Sequence, residues 1–148
     1  MRKHRWFLFL IIGALILGAG CKKSPTPPDQ DTFIGTWQAT KAEFVNVAVP
    51  GTKVDVVAQG GTVTLVLAAT TAVLTISELG ESPLVYNATW SAGSDVLTLA
   101  WTSGSTGEAQ FDFTLNGDNL TMDGGHVPFD FTEGNFEEAI LNLRLVRQ

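Results

Sequence analysis

From Gly35 to the C-terminus, apolar and polar residues alternate in short runs broken by Gly, Asn, Asp and Ser. A period of two places every second side chain on one face of an extended strand. Eight runs carry this pattern: 35–47, 62–67, 72–78, 84–91, 96–101, 108–115, 119–123 and 139–146. In the second, Val63, Leu65 and Leu67 share a face. In the fourth the shared face holds Tyr86, Ala88 and Trp90, and in the sixth Phe111, Phe113 and Leu115, set against Asp112 and Thr114. The links Ala92-Gly93-Ser94-Asp95 and Asn116-Gly117-Asp118 are short enough for hairpins between antiparallel neighbours. Consecutive hairpins make a meander, and a meander with one apolar face has two exposed edges unless it closes on itself. The expectation is therefore an all-β domain over 33–148: an eight-stranded antiparallel up-and-down barrel, with a sandwich of two sheets as the alternative. The stretch Lys53-Val54-Asp55-Val56-Val57-Ala58-Gln59 is read as a short helix or turn ended by Gly60-Gly61.

The N-terminus is of another kind. Arg2, Lys3 and Arg5 precede an uncharged apolar run, 6–17, followed by Gly18-Ala19-Gly20 and Cys21. As a helix that run spans roughly 18 Å against about 30 Å of bilayer hydrocarbon, which suits a signal-peptide core and not a permanent span. Basic head, apolar core, small residues and cysteine together resemble the lipobox of bacterial lipoproteins. Gly18 stands where that family favours Leu, with Leu17 one place earlier. The resemblance implies cleavage after residue 20 and acylation of Cys21. Lys22, in place of the Asp that retains such proteins at the inner membrane, implies the outer membrane in a Gram-negative cell. Residues 21–32, including Ser24-Pro25-Thr26-Pro27-Pro28, then form a proline-stiffened tether.

Charge narrows the partners. The full chain carries −6; without Arg2, Lys3 and Arg5, six basic side chains face 15 acids, a mature charge near −9. Scattered acidity of this kind disfavours nucleic acid. Cys21 is the one cysteine; acylated, it leaves neither a disulfide nor a free thiol, so core and ladder alone must hold the fold.

Gly35-Thr36-Trp37 at the head of the first run and Arg147 after the last resemble the lipocalin, or calycin, barrel. With the lipobox, the tether, the segment 89–99 and the terminal Leu143-Arg144-Leu145-Val146-Arg147, the chain resembles the lipocalin-like lipoproteins of bacteria. That resemblance implies a lipid-anchored barrel of the cell envelope, monomeric, holding a small hydrophobic ligand. It also implies a structural pair at the closed end, Trp37 covered by Arg147. The apolar parity supplies candidate ligand-lining residues: Tyr86, Trp90, Trp101, Phe111, Phe113 and Met122. Trp101 and Phe113, on the two runs joined by the soft link 102–107, are expected to border one open mouth.

No set of nucleophile, base and oxyanion donors can be assembled, so no enzyme activity, cofactor or metal is expected. His126, in Gly124-Gly125-His126-Val127-Pro128, reads as a solvated loop residue. Asp130, Glu133, Asn135, Glu137 and Glu138 read as an acidic loop without a calcium-binding order. Phe129, Phe131 and Phe136 in the same loop are expected to cap a barrel mouth, with an exposed apolar rim as the other reading.

Overall fold

The computed structural model describes residues 28–132 and 134–148. The segments expected to be a signal peptide and most of a tether, with Cys21, and also Glu133, lie outside the described residues.

Nine strands form a single antiparallel sheet: β1 (Gly35–Asn46), β2 (Lys53–Asp55), β3 (Thr62–Leu67), β4 (Thr71–Ser77), β5 (Leu84–Ala92), β6 (Val96–Ser103), β7 (Glu108–Asn116), β8 (Asn119–Thr132) and β9 (Asn135–Arg147). The order is β2-β1-β3-β4-β5-β6-β7-β8-β9, and β9 returns to pair with β1. Eight strands thus close into the antiparallel barrel the alternation predicts. The short β2 is not one of the eight closing strands; it pairs with Glu43–Val45 of β1, farther along the strand than the Gly35–Gln38 stretch that pairs with β3. Closure runs from Trp37 opposite Arg147 to Asn46 opposite Ala139.

Two of the bulges, one in β1 and one in β8, reset which residues point inward. In β1 the register shifts between Ala39 and Lys41, so the buried positions pass from Trp37 and Ala39 to Ala42, Phe44 and Asn46. In β8 it shifts between Met122 and Gly125, and burial passes from Leu120 and Met122 to Val127 and Phe129. An extra residue in one strand of a pair reverses the parity beyond it and bends the strand. Gly124 takes this position with φ of +87°, and Gly125 lies bare beneath Phe111, whose ring would sit 1.9 Å from an added Cβ.

The stretch expected as a short helix or turn divides. Lys53–Asp55 is strand, and 56–60 is turn. The Asp55 carboxylate decides the division: its Oδ1 accepts from Val57 N at 3.1 Å and Ala58 N at 3.2 Å, while also taking Ala42 N of β1 at 3.3 Å. An Asx turn of this kind competes with a helix for the same amide donors.

The expected loop over 124–138 is instead the upper half of a long hairpin, β8–β9, with only its tip irregular. Pro128 is tolerated because this half of β8 pairs with β9 alone, leaving its other edge without a ladder to break. His126 is accordingly a strand residue, opposite Ile140.

The inward side chains form one continuous cluster from end to end, with Trp37, Phe44, Phe111 and Phe129 fully buried. Phe33 joins them from outside the sheet. A 3-10 turn, Gln30–Phe33, precedes β1 and turns the Phe33 ring into the barrel.

Candidate functional site

The two ends of the barrel differ. At one end Phe33 packs edge-on to Phe113, ring centroids 5.2 Å apart, and to Trp90 at 5.8 Å. Its carbonyl accepts from Trp37 Nε1 at 2.8 Å. The guanidinium carbon of Arg147 lies 4.3 Å from the centre of the Trp37 ring. The same guanidinium donates to the carbonyls of Ile34, at 2.5 Å, and of Thr32, and it lies 3.3 Å from Asp118. Gly35 makes room for it: a Cβ there would lie 2.9 Å from the Arg147 Nη1, and φ is +148°. Trp90 Nε1 donates to Ala68 O at 2.6 Å. No buried side-chain nitrogen or oxygen among the described residues is left without a hydrogen-bond partner, as a dry end requires. This end is shut.

The opposite end is covered by the β8–β9 hairpin. Phe129 stacks on Phe44 at 4.0 Å and meets Phe131 edge-on at 5.0 Å. The Tyr86 hydroxyl donates to Pro128 O at 3.1 Å, although β5 and β8 are not neighbours in the sheet, so the hairpin reaches across the mouth. Phe129 and Phe131 therefore cap this mouth. Phe136 does not: it is 52% exposed at the hairpin tip.

Between that tip and the turn joining β4 to β5 lies a cleft of about 250 Å³, lined by Glu78, Glu81, Ser82, Leu84, Asp130, Phe131 and Phe136. Its chemistry is mixed, two aromatic rings against three carboxylates. Partial burial, together with the charges of Asp130 and Glu81, holds the Glu78 carboxyl above its ordinary value. Burial and the charge of Glu78 push the Tyr86 hydroxyl up in the same way. Asp130 is committed to the hairpin tip, where it accepts from the backbone N–H groups of Thr132, Gly134 and Asn135. On the other side Asn46, the one buried polar side chain among the described residues, accepts from Ala48 N and Val49 N, each at 2.9 Å, and donates to Glu137. It ties the β1–β2 loop to the hairpin.

A second cleft, about 310 Å³, runs along the outer side of the hairpin past Ser105, Thr106, His126 and Glu138. His126 Nδ1 lies 2.7 Å from Glu138 Oε1, and both side chains are more than half exposed. Among the described residues no group of three His, Cys, Asp or Glu is placed to hold a metal ion.

The six candidate lining residues do not share one chamber. Tyr86 and Trp101 lie together at the mouth, ring centroids 5.7 Å apart. Trp90 and Phe113 lie at the shut end against Phe33. Phe111 and Met122 are buried between them. Trp101 and Phe113 thus border opposite ends and not one mouth. The strands are antiparallel: Leu97 pairs with Phe111 and Leu99 with Ala109, so residues late in β6 face residues early in β7. The site residues that alternation does not single out are Asn46 and Glu78, polar residues at or near the ends of the first and third runs, where parity alone gives a polar side chain no role.

No family model matches the chain, and no curated protein matches it. A solved structure of an uncharacterized protein from Bacteroides eggerthii is similar at 12% identity and a TM-score of 0.42, over 74% of this chain and 98% of that one. The mouth is therefore read from its own geometry.

Proposed function

We propose that this is a non-enzymatic, lipid-anchored protein of the bacterial envelope, a filled lipocalin-like barrel that acts through the surface of its mouth and not through an internal chamber. The single observation behind this reading is the packing of the interior. The positions that would line a lipocalin-type cavity are occupied by their own side chains, with Phe33 filling the shut end. Eight strands enclose a space just wide enough for such filling or for one small ligand. The anchor is supported by the pattern around Cys21 and by the tether that follows it.

A second reading, the small hydrophobic ligand implied by the family resemblance, is favoured at one place only. The mouth cleft presents Phe131 and the half-exposed Phe136 to anything that enters it. Titration with a naphthyl or anthracene fluorophore separates the two. The filled-barrel reading expects no saturable change in Trp90 or Trp101 emission. Saturable binding lost in Phe136→Ser places the ligand in the cleft, and saturable binding retained in that variant places it in the interior and overturns the first reading. Anchoring is tested by Cys21→Ser, which is expected to abolish fatty-acid labelling. Labelled, membrane-bound mutant protein would contradict it.

A further inference from the structure

We infer that the shut end of the barrel faces the bilayer and that the mouth, with its acidic cleft, is held outward, away from the lipid surface. The inference rests on the anchoring at Cys21 proposed above, and it adds which surface the membrane takes and which is left for partners.

The chain enters the fold at a fixed point. Asp29 O accepts from Thr32 N at 2.9 Å and from Thr32 Oγ1 at 2.6 Å, and the Asp29 carboxylate accepts from Asp31 N at 3.2 Å. Arg147 holds the Thr32 and Ile34 carbonyls. The point of attachment is thus fixed beside the Trp37–Arg147 pair, at the shut end. Eight peptide units separate Cys21 from Asp29. Even fully extended, they reach about 29 Å.

The barrel is as tall as that reach. β9 runs over 13 residues, roughly 40 Å along the strand, and a strand tilt near 40° leaves a height of about 30 Å. Turning the mouth to the bilayer would require the tether to run the whole length of the wall with no slack. With the shut end down, the same eight units impose no constraint.

Charge bears on the tether and does not separate the two ends. The tether starts with Lys22 and Lys23, next to the acylated residue, and anionic headgroups attract basic side chains within a Debye length. The mouth carries Glu78, Glu81, Asp130, Glu137 and Glu138, and the shut end carries Asp29, Asp31, Asp95 and Asp118 beside Arg147, so the orientation rests on the attachment point and the length of the tether.

The protein supplies its own test, because acylation consumes its one cysteine and an introduced cysteine becomes the sole free thiol. Ala69→Cys and Ser94→Cys mark exposed turns at the shut end; Ser82→Cys and Thr106→Cys mark exposed turns at the mouth. Each full-length, lipid-labelled variant is tagged with bimane and reconstituted in phosphatidylcholine–phosphatidylglycerol vesicles whose headgroups carry nitroxide. Quenching at the shut-end pair is expected to exceed that at the mouth pair at least threefold. Equal quenching, or stronger quenching at Ser82→Cys, overturns the orientation while leaving the anchor intact. Failure of every variant to label with fatty acid or to float with the vesicles overturns the anchor and the orientation with it.

Discussion

Replacing Phe33 by Ala removes a fully buried ring held at the shut end of the barrel by Phe113 and Trp90. Losing that apolar surface from the interior costs about 2–3 kcal/mol in transfer free energy. If the surroundings stay in place, a void of about 100 Å³ remains, and at ~24 cal/mol per Å³ it adds about 2 kcal/mol. The sum is about 4–5 kcal/mol, within the range known for Phe→Ala in cores. The position has an escape that a mid-strand residue lacks, because among the described residues the hydrogen bonds that tie the 3-10 turn and its C-cap to the barrel run to Arg147 and Trp37, beside the ring itself. Should the turn detach, the loss is capped at its docking free energy, and water reaches Trp37. Urea denaturation followed by tryptophan emission distinguishes these. With a denaturant dependence near 2 kcal/mol per M, the full loss lowers the midpoint by about 2 M. Detachment gives a smaller drop with native emission shifted to the red. A midpoint within about 0.5 M of the parent, with native emission unchanged, would refute the account of Phe33 as a packed plug.

Gly125→Ala forces a methyl into the Phe111 ring and is expected to cost about 1–3 kcal/mol or more as overpacking. Phe111→Leu in the same chain should recover part of that loss, and strict additivity in denaturation would show that the two do not press on each other. Trp37→Ala and Arg147→Met should be coupled by about 1 kcal/mol in a double-mutant cycle, the contribution of the cation lying over the ring. Glu78 holds its proton more tightly folded than unfolded, so its share of stability falls as pH rises from the ordinary carboxylate range through its raised value. Glu78→Gln is expected to flatten that decline and raise the melting temperature at pH 7 more than at pH 4; a variant whose melting temperature falls at pH 7 would show the carboxylate to be favourably placed.

The barrel was legible wherever alternation ran unbroken. Val63, Leu65 and Leu67 have one parity and one fate, and the eight runs became the eight strands that close. Legibility failed at the bulges. Past Gly124 the apolar set moves from even to odd positions, so Val127 and Phe129 fall out of phase with Leu120 and Met122. Two glycines and a proline in five residues then imitate a loop. The mouth was hidden for a second reason, since its covering depends on a hairpin folding across to Tyr86 and Phe44, contacts between residues far apart in the chain. The Trp37–Arg147 contact joins residues just as far apart, but it is expected because Gly35-Thr36-Trp37 and Arg147 resemble the closed end of a calycin barrel and closure pairs the first strand with the last.

The seam between first and last strands governs when this protein can fold. Arg147 and the Ile34 carbonyl it holds are 113 positions apart, and β1 meets β9 along most of its length. Pairing at such separation must offset the entropy of closing the whole chain, which places domains of this topology among the slow folders, on millisecond to second timescales. A chain delivered N-terminus first presents β1 early, able to meet β2 and β3 but with its other edge open until the final residues emerge. Arg147, the last residue of β9, completes both the seam and the lid over Trp37 at one stroke. On the proposed reading of export, this seam would supply a built-in delay: the chain would stay threadable until its last strand was released, and would lock only once both of its ends were on the same side.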